Sequence, residues 1–139
     1  MKQYTVAIVG ATGAVGTQML QCLKEQDFPV GALKLLASPR SAGKVVATPW
    51  GDVTVEAAAP EAFDGVDIVL GAAEDDVAKA LYPEAVRRGA VVVDNSHAFR
   101  LDEDVPLVIP EINAEDVKGH HGIIANPNCA TIIGLVPTW

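Results

Sequence analysis

Cysteine, aromatic residues and positive charge are all scarce in this sequence of 139 residues, and each scarcity excludes a class of protein. Its two cysteines have no framework spacing, so we predict no disulfide scaffold and a reducing, cytoplasmic environment. The formal net charge of −8 argues against nucleic acid and against an anionic membrane as partners, because both require a basic face. We predict no metal-binding residue.

Long apolar runs are also missing. None approaches the roughly 18 residues that span a membrane. The apolar run that follows Lys2 ends at Gly10 without a cleavage-like site, so we reject a secretory signal. Half of the residues are nevertheless hydrophobic, mostly Val, Ala, Ile and Leu, and this composition suits the strands of a covered parallel sheet. The length is that of one domain with a real core.

Strand-like and helix-like segments alternate along the chain. Helical spacing predicts helices over Ala14–Gln26 and Asp75–Arg88, and a further helix from Ala130 onward. The predicted strands are Tyr4–Val9, Leu33–Ala37, a hairpin of Lys44–Trp50 and Val53–Ala57, then Val66–Leu70, Ala90–Val93, Leu107–Ile109 and Gly122–Ala125. This rhythm predicts an α/β fold with a doubly wound, mostly parallel sheet, as in Rossmann-like dinucleotide-binding domains.

A glycine-rich loop, Gly10-Ala11-Thr12-Gly13-Ala14-Val15-Gly16, lies between the first strand and the first helix. Its G-x-x-G-x-x-G spacing differs from G-x-G-x-x-G, but the physics is the same. Without β-carbons the backbone can turn tightly and approach a pyrophosphate at the helix N-terminus. The alternative is an ordinary glycine turn, which the position between strand and helix disfavours.

The segment after the second strand indicates which dinucleotide binds. An NAD site places an acidic residue there for the ribose 2′-hydroxyl, and Ala37–Lys44 contains none. Ser38, Arg40 and Ser41 instead offer hydroxyls and a guanidinium that suit a 2′-phosphate, so we predict NADP. A solvated basic loop is the alternative, and for Lys44 alone the two interpretations are equally good.

The two cysteines lie in different contexts. Cys129 follows Asn126-Pro127-Asn128, where a strand ends and a helix is predicted to begin. A thiol at a helix N-terminus favours the thiolate, and the free N–H groups there can hold an oxyanion. Cys22 falls on the apolar stripe of the first helix, so we expect it to be inert core. A nicotinamide cofactor together with a cysteine nucleophile implies aldehyde oxidation or its reverse.

Five segments together resemble aspartate-semialdehyde dehydrogenase, in order and at matching spacing along the whole chain. They are Gly10–Gly16, Ser38–Lys44, Asp94–Arg100, Val105–Asn113 and Asn126–Cys129. The resemblance implies the NADPH-dependent reductive dephosphorylation of L-aspartyl-4-phosphate to the semialdehyde, or its reverse, on the route to lysine, threonine and methionine. It also implies that Thr12–Val15, Arg40 and Ser41 hold NADP, that Cys129 carries the acyl thioester, and that Arg100 binds phosphate.

The resemblance further implies a division of the protein. Residues 1–128 would form the dinucleotide-binding domain, and residues 129–139 would begin a catalytic domain. The family's general base, its substrate-carboxylate arginine and its dimer-forming domain would lie beyond residue 139. The chain alone would then bind NADP without turnover, and the full-length member would be a homodimer or homotetramer.

Three features leave alternatives open. Arg100 is otherwise a surface residue paired with Asp102, Glu103 or Asp104. Acidic residues occupy positions 74–76, where the family usually has a small Ser/Gly loop, and we expect them to point away from the cofactor and cap the following helix. His97 replaces a small hydroxyl residue, and we interpret it as a solvated bystander. Two further functions stay open, a non-catalytic NADP-binding paralogue and a relative of acetylglutamyl-phosphate reductase.

Overall fold

The computed structural model describes residues 2–127, 132 and 137, and shows the predicted doubly wound α/β domain of Rossmann type. The strands are β1 (Tyr4–Val9), β2 (Val30–Ala37), β3 (Val45–Thr48), β4 (Gly51–Thr54), β5 (Glu56–Ala57), β6 (Ile68–Gly71), β7 (Val91–Asp94) and β8 (Ile123–Ala125). The helices are α1 (Ala14–Glu25), α2 (Asp75–Arg87) and α3 (Pro110–Asn113), with 3₁₀ turns at Pro60–Phe63 and Ala114–Gly119.

Within the described residues the main sheet has six strands in the order β5-β2-β1-β6-β7-β8, and their pairings are all parallel. The chain moves outward from β1 to β2 and β5, then returns to the other side of β1 to add β6, β7 and β8. The strand order therefore reverses between β1 and β6. Ligands of open α/β sheets bind outside the carboxyl ends of the strands at such a reversal.

The sheet has a hydrophobic core on each face, which is why its central strands are mainly apolar. Along β1, Val6 and Ile8 point to the face covered by α1, whereas Ala7 and Val9 point to the face covered by α2. All four are at most 1% exposed. Alternate residues thus serve opposite cores, as expected for a sheet with helices on both sides.

Two predicted strands are wrong in detail. The segment Val53–Ala57 divides: Gly51–Thr54 pairs antiparallel with β3, and Glu56–Ala57 joins the edge of the main sheet beside β2. The segment Leu107–Ile109 forms only a single bridge, from Leu107 to Ala125. Prolines on both sides of that segment explain the difference, since proline cannot donate to a strand ladder and Pro110 instead begins α3.

One packing contact ties α2 tightly to the sheet. The Tyr82 ring is fully buried, and it lies against the backbone of Gly71 at the end of β6. A β-carbon at Gly71 would overlap the Tyr82 hydroxyl and lie 2.6 Å from ring atom Cζ. Burial, and secondarily the charge of Asp94, raise the pKa of Tyr82 well above its usual range, so the phenol stays neutral.

Candidate functional site

The glycine loop turns where β1 reaches the carboxyl edge of the sheet. Gly10 has φ = +81°, and its amide and that of Ala11 both donate to the Leu36 carbonyl, at 2.8 and 3.1 Å. The Gly13 amide then donates back to the Gly10 carbonyl at 3.1 Å, and α1 begins at the next residue. These bonds hold the loop against β2 and leave the first turn of α1 at the sheet edge, as an anion site requires.

Two of the three loop glycines are required by packing inside the fold. A β-carbon at Gly10 would lie 2.7 Å from the Ala72 carbonyl oxygen. One at Gly16 would overlap the Gly10 carbonyl oxygen and lie 2.8 Å from Cα of Ala11. By contrast, a β-carbon at Gly13 meets only one backbone atom, at an ordinary 3.5 Å. Gly13 therefore faces open space, where a ligand could approach the protein backbone closely.

This difference gives a paired prediction. Replacing Gly16 with alanine is expected to lower the free energy of unfolding by about 1–3 kcal/mol, because the new methyl group meets backbone that cannot move aside. Replacing Gly13 with alanine should leave that free energy nearly unchanged while weakening dinucleotide binding. Denaturant unfolding and cofactor titration of both variants would test this. Equal stability of the Gly16 variant and the wild type would contradict the packing account.

A cleft of about 590 Å³ opens at this edge, between the glycine loop, the end of β2 and the start of α2. The predicted cofactor residues Gly10, Thr12, Gly13 and Ser38 line it. Val15 instead lines a second groove on the α1 face of the sheet, so its contact with a cofactor stays a prediction. The position of the cleft, at the reversal of strand order, is that of a dinucleotide site.

Of the predicted 2′-phosphate residues, Ser38 lines the cleft, whereas Arg40 and Ser41 follow it in a tight turn and are not among the lining residues. The Ser41 amide donates to the Ser38 carbonyl at 2.9 Å, which reverses the chain around Pro39 and Arg40. Arg40 is exposed and forms no ion pair with any described residue. Its charge is thus available to a ligand phosphate.

The expectation that the acidic residues cap α2 is wrong. Glu74 occupies the N-cap position without a side-chain cap hydrogen bond, and Glu74 and Asp76 both line the cleft. Asp75 alone turns away, and its Oδ1 accepts the His97 amide at 2.8 Å. Both cleft-lining side chains are exposed and can stay in water, so the carboxylates oppose a bound pyrophosphate only through a screened repulsion.

The loop after β7 is built around a buried carboxylate. Asp94 is fully buried and accepts hydrogen bonds from the Ser96 amide at 2.8 Å and from the Ser96 hydroxyl at 2.7 Å. Burial raises the pKa of Asp94, while the two bonds from Ser96 and the charge of Arg100 oppose the rise. The paired hydrogen bonds fix the direction in which the chain leaves β7.

Arg100 is not paired with the acidic residues that follow it. Its Nε donates to the Asn126 carbonyl at 2.7 Å, one terminal nitrogen donates to the Asn95 carbonyl at 3.2 Å, and the other lies 2.7 Å from His97 Nδ1. No described carboxylate forms an ion pair with it. Its guanidinium is therefore held at the sheet edge by neutral acceptors, and its charge also acts on the buried Asp94.

Two asparagines complete this edge, and sequence reasoning gave neither of them a role. Asn126 Nδ2 donates to Asn95 Oδ1 at 2.7 Å, which joins the loop after β7 to the segment after β8. Their positions could have indicated such a role, because each asparagine directly follows a strand and the two strands, β7 and β8, are neighbours in the sheet. Together with Arg100, the pair holds the backbone three residues before Cys129.

Cys129 itself lies outside the described residues, so its predicted place at a helix N-terminus stays a prediction. The expectation for Cys22 is wrong: it is an exposed free cysteine. The neighbouring Leu23 takes the core position, whereas Cys22 lines the second groove with Met19 and Phe28. Helical spacing predicted the apolar stripe of α1 correctly. It could not show that one side of this stripe is left uncovered in the described part of the chain.

Within residues 2–127, 132 and 137, no group of three or more His, Cys, Asp or Glu side chains could hold a metal ion. No helix in this described part is both long and apolar enough to cross a membrane.

The chain is similar to known proteins in sequence. Residues 5–120 match the family model of the semialdehyde dehydrogenase NAD binding domain. Aspartate-semialdehyde dehydrogenase of Bacillus subtilis (strain 168) is 56% identical over 127 residues, covering 91% of this chain and 37% of that protein. Eight such curated relatives are matched over 37–43% of their own length.

Solved structures agree with the sequence relatives. The crystal structure of aspartate semialdehyde dehydrogenase II from Vibrio cholerae, complexed with ASA, matches with a TM-score of 0.91 at 46% identity, covering 96% of this chain and 44% of that one. The enzyme from Candida albicans, solved with NADP, matches with a TM-score of 0.77 at 26% identity, covering 99% and 46%.

Proposed function

The chain belongs to the aspartate-semialdehyde dehydrogenase family, and from this premise we propose that it is the NADP-binding part of an enzyme that interconverts L-aspartyl-4-phosphate and L-aspartate 4-semialdehyde. The contact between Arg100 and the Asn126 carbonyl supports this best, because it brings a guanidinium to the segment that leads into Cys129. An acyl phosphate that met a nucleophile there would have its phosphate beside a guanidinium that forms no ion pair with a described carboxylate.

NADP is the cofactor that the residues of the cleft fit. The glycine loop offers close backbone approach, and Arg40, which forms no ion pair with a described residue, directly follows the cleft-lining Ser38 and Pro39, so it could reach an adenosine 2′-phosphate there. We assign cofactor binding to Gly10, Thr12, Gly13, Ala14, Val15, Ser38, Arg40 and Ser41. Bound there, NADPH would supply the hydride that reduces the acyl carbon.

Cys129 and Arg100 would perform the remaining chemical steps. The Cys129 thiolate attacks C4 of the aspartyl phosphate, so a carbon–sulfur bond forms as the carbon–oxygen bond to phosphate breaks. The departing phosphate takes the bonding electron pair, and Arg100 holds it through charge-assisted hydrogen bonds. The acyl group stays on sulfur as a thioester until its reduction releases the semialdehyde and restores the thiolate.

The rest of the family's machinery would lie outside this chain. We assign residues 1–128 to the dinucleotide-binding domain and residues 129–139 to the start of the catalytic domain. That domain would supply a general base, a group that binds the substrate carboxylate, and side chains that exclude water. Residues 1–139 alone would therefore bind NADP without turnover. The full-length protein would act as a homodimer or homotetramer in the cytoplasm, in the synthesis of lysine, threonine and methionine.

The test is phosphate-dependent NADPH formation from L-aspartate 4-semialdehyde, followed by absorbance. The product of the complete reading frame that contains this chain should form NADPH, and residues 1–139 alone should not. A reading frame that stops after Trp139, with NADP binding intact, would identify a non-catalytic paralogue instead. Activity with an acetylglutamyl substrate and none with aspartate semialdehyde would identify the reductase alternative.

A further inference from the structure

The Arg100 guanidinium is held by neutral acceptors. Three of its five N–H groups are engaged, by the carbonyls of Asn95 and Asn126 and by the ring of His97. One N–H on each terminal nitrogen has no acceptor among the described residues. These three contacts fix the direction of the side chain, and no described carboxylate forms an ion pair with it, although its charge influences the buried Asp94. A guanidinium held in this way can bind a tetrahedral anion such as phosphate without first reorienting.

His97 is the only side chain among the three acceptors, and its own position is fixed from two sides. Its amide donates to Asp75 Oδ1 at 2.8 Å, at the start of α2. Its carbonyl accepts the Arg100 amide at 3.3 Å, which closes the turn between the two residues. With the backbone anchored in this way, the ring places Nδ1 at 2.7 Å from the guanidinium. Since Arg100 can only donate, this hydrogen bond requires the tautomer in which Nδ1 accepts and the ring proton is on Nε2.

We propose that His97 is a positioning residue for phosphate: through Nδ1 it directs the Arg100 guanidinium so that one free N–H from each terminal nitrogen meets the phosphate group. This inference rests on the proposed role of Arg100 in phosphate binding. It replaces the interpretation of His97 as a solvated bystander, which took no account of the Arg100 contact. The remaining two contacts of Arg100 use backbone carbonyls, so His97 is the one member of the set that substitution can remove cleanly.

The test is the binding of inorganic phosphate to the chain, with side-chain ¹⁵N–¹H NMR signals of Arg100 as the readout. His97→Ala should weaken phosphate binding by about three- to tenfold, the range expected for one lost hydrogen bond. It should also speed the exchange of the Arg100 guanidinium protons with water. His97→Asn should restore both properties, because its Oδ1 can take the place of Nδ1. His97→Gln should not, because its amide extends toward the position of Nε2.

Two further measurements separate the possible failures. Arg100→Ala should remove phosphate binding, and NADP affinity should be the same in the His97 variants as in the wild type. If Arg100→Ala leaves phosphate binding unchanged, or if phosphate shifts no Arg100 signal in the wild type, the proposed anion site is wrong and His97 loses its role with it. If Arg100→Ala abolishes binding but His97→Ala binds phosphate as the wild type does, only the role of His97 is overturned.

Discussion

Replacing Cys129 with serine in the product of the complete reading frame is expected to lower turnover by a factor of about 10³ or more. Loss of the nucleophile in other covalent enzymes costs up to about 10⁶ in kcat, and a serine hydroxyl without an adjacent base is a far weaker nucleophile than a thiolate. The measurement is NADPH formation at saturating phosphate and semialdehyde. NADP affinity should not change, because the cleft is built from other segments.

Cys22→Ser is the matched control for that experiment. Cys22 is exposed, so this change should leave both turnover and the free energy of unfolding close to the wild-type values, within about 0.5 kcal/mol for stability. The exposure of Cys22 also means that alkylation of the wild type would modify the Cys22 thiol in addition to any reaction at Cys129. Labelling should therefore be followed in the Cys22→Ser background. Turnover that persists in the Cys129→Ser protein would exclude the thioester route.

Replacing Arg40 with alanine is expected to remove most of a preference for NADP over NAD. A charge-assisted contact with the 2′-phosphate is worth roughly 1–3 kcal/mol, which corresponds to about a 5- to 150-fold loss of NADP affinity. NAD affinity should hardly change, because NAD carries a hydroxyl where NADP carries the phosphate. Calorimetric titration of the chain with both dinucleotides measures the two affinities directly.

Lys44→Ala serves as the control for Arg40. Both residues are exposed cations of the same loop, so a general loss of positive charge would affect NADP binding in both variants. A contact made by Arg40 alone would affect only the Arg40 variant, a contact shared with Lys44 would affect both, and either effect would shrink less with added salt than that of a screened surface charge. Equal affinity of the wild type for NADP and NAD would rule out the assignment of Arg40 to the 2′-phosphate.

Local pattern predicted most of the fold. The bounds of Tyr4–Val9 match β1, and the two long helices end within one residue of their predicted bounds, because strong periodicity and flanking glycines mark them. The hairpin was predicted only in part, since nothing local shows that Glu56–Ala57 leaves it to pair with β2. Pairing between distant segments depends on the sheet as a whole, which spacing along the chain does not encode.

The site was less predictable than the fold. The glycine loop could be located because its physics is local, whereas the partners of Arg100 come from loops after two different strands. The sequence offered three nearby acids as partners, and the structure uses none of them. Asp75 was likewise expected to cap α2, but its carboxylate instead accepts a hydrogen bond from the His97 amide in the loop after β7. In both cases the deciding contact joins segments that only the parallel order of the strands brings together.

The contact between Gly71 and Tyr82 has a consequence for the evolution of this domain. Gly71 ends β6 at the same sheet edge as the glycine loop, so a glycine retained at this position among relatives would readily be interpreted as a cofactor-binding residue. Its β-carbon is excluded by the Tyr82 ring, not by a ligand. The two positions should therefore change together: a lineage with alanine at 71 needs a smaller side chain at 82, whatever dinucleotide it uses.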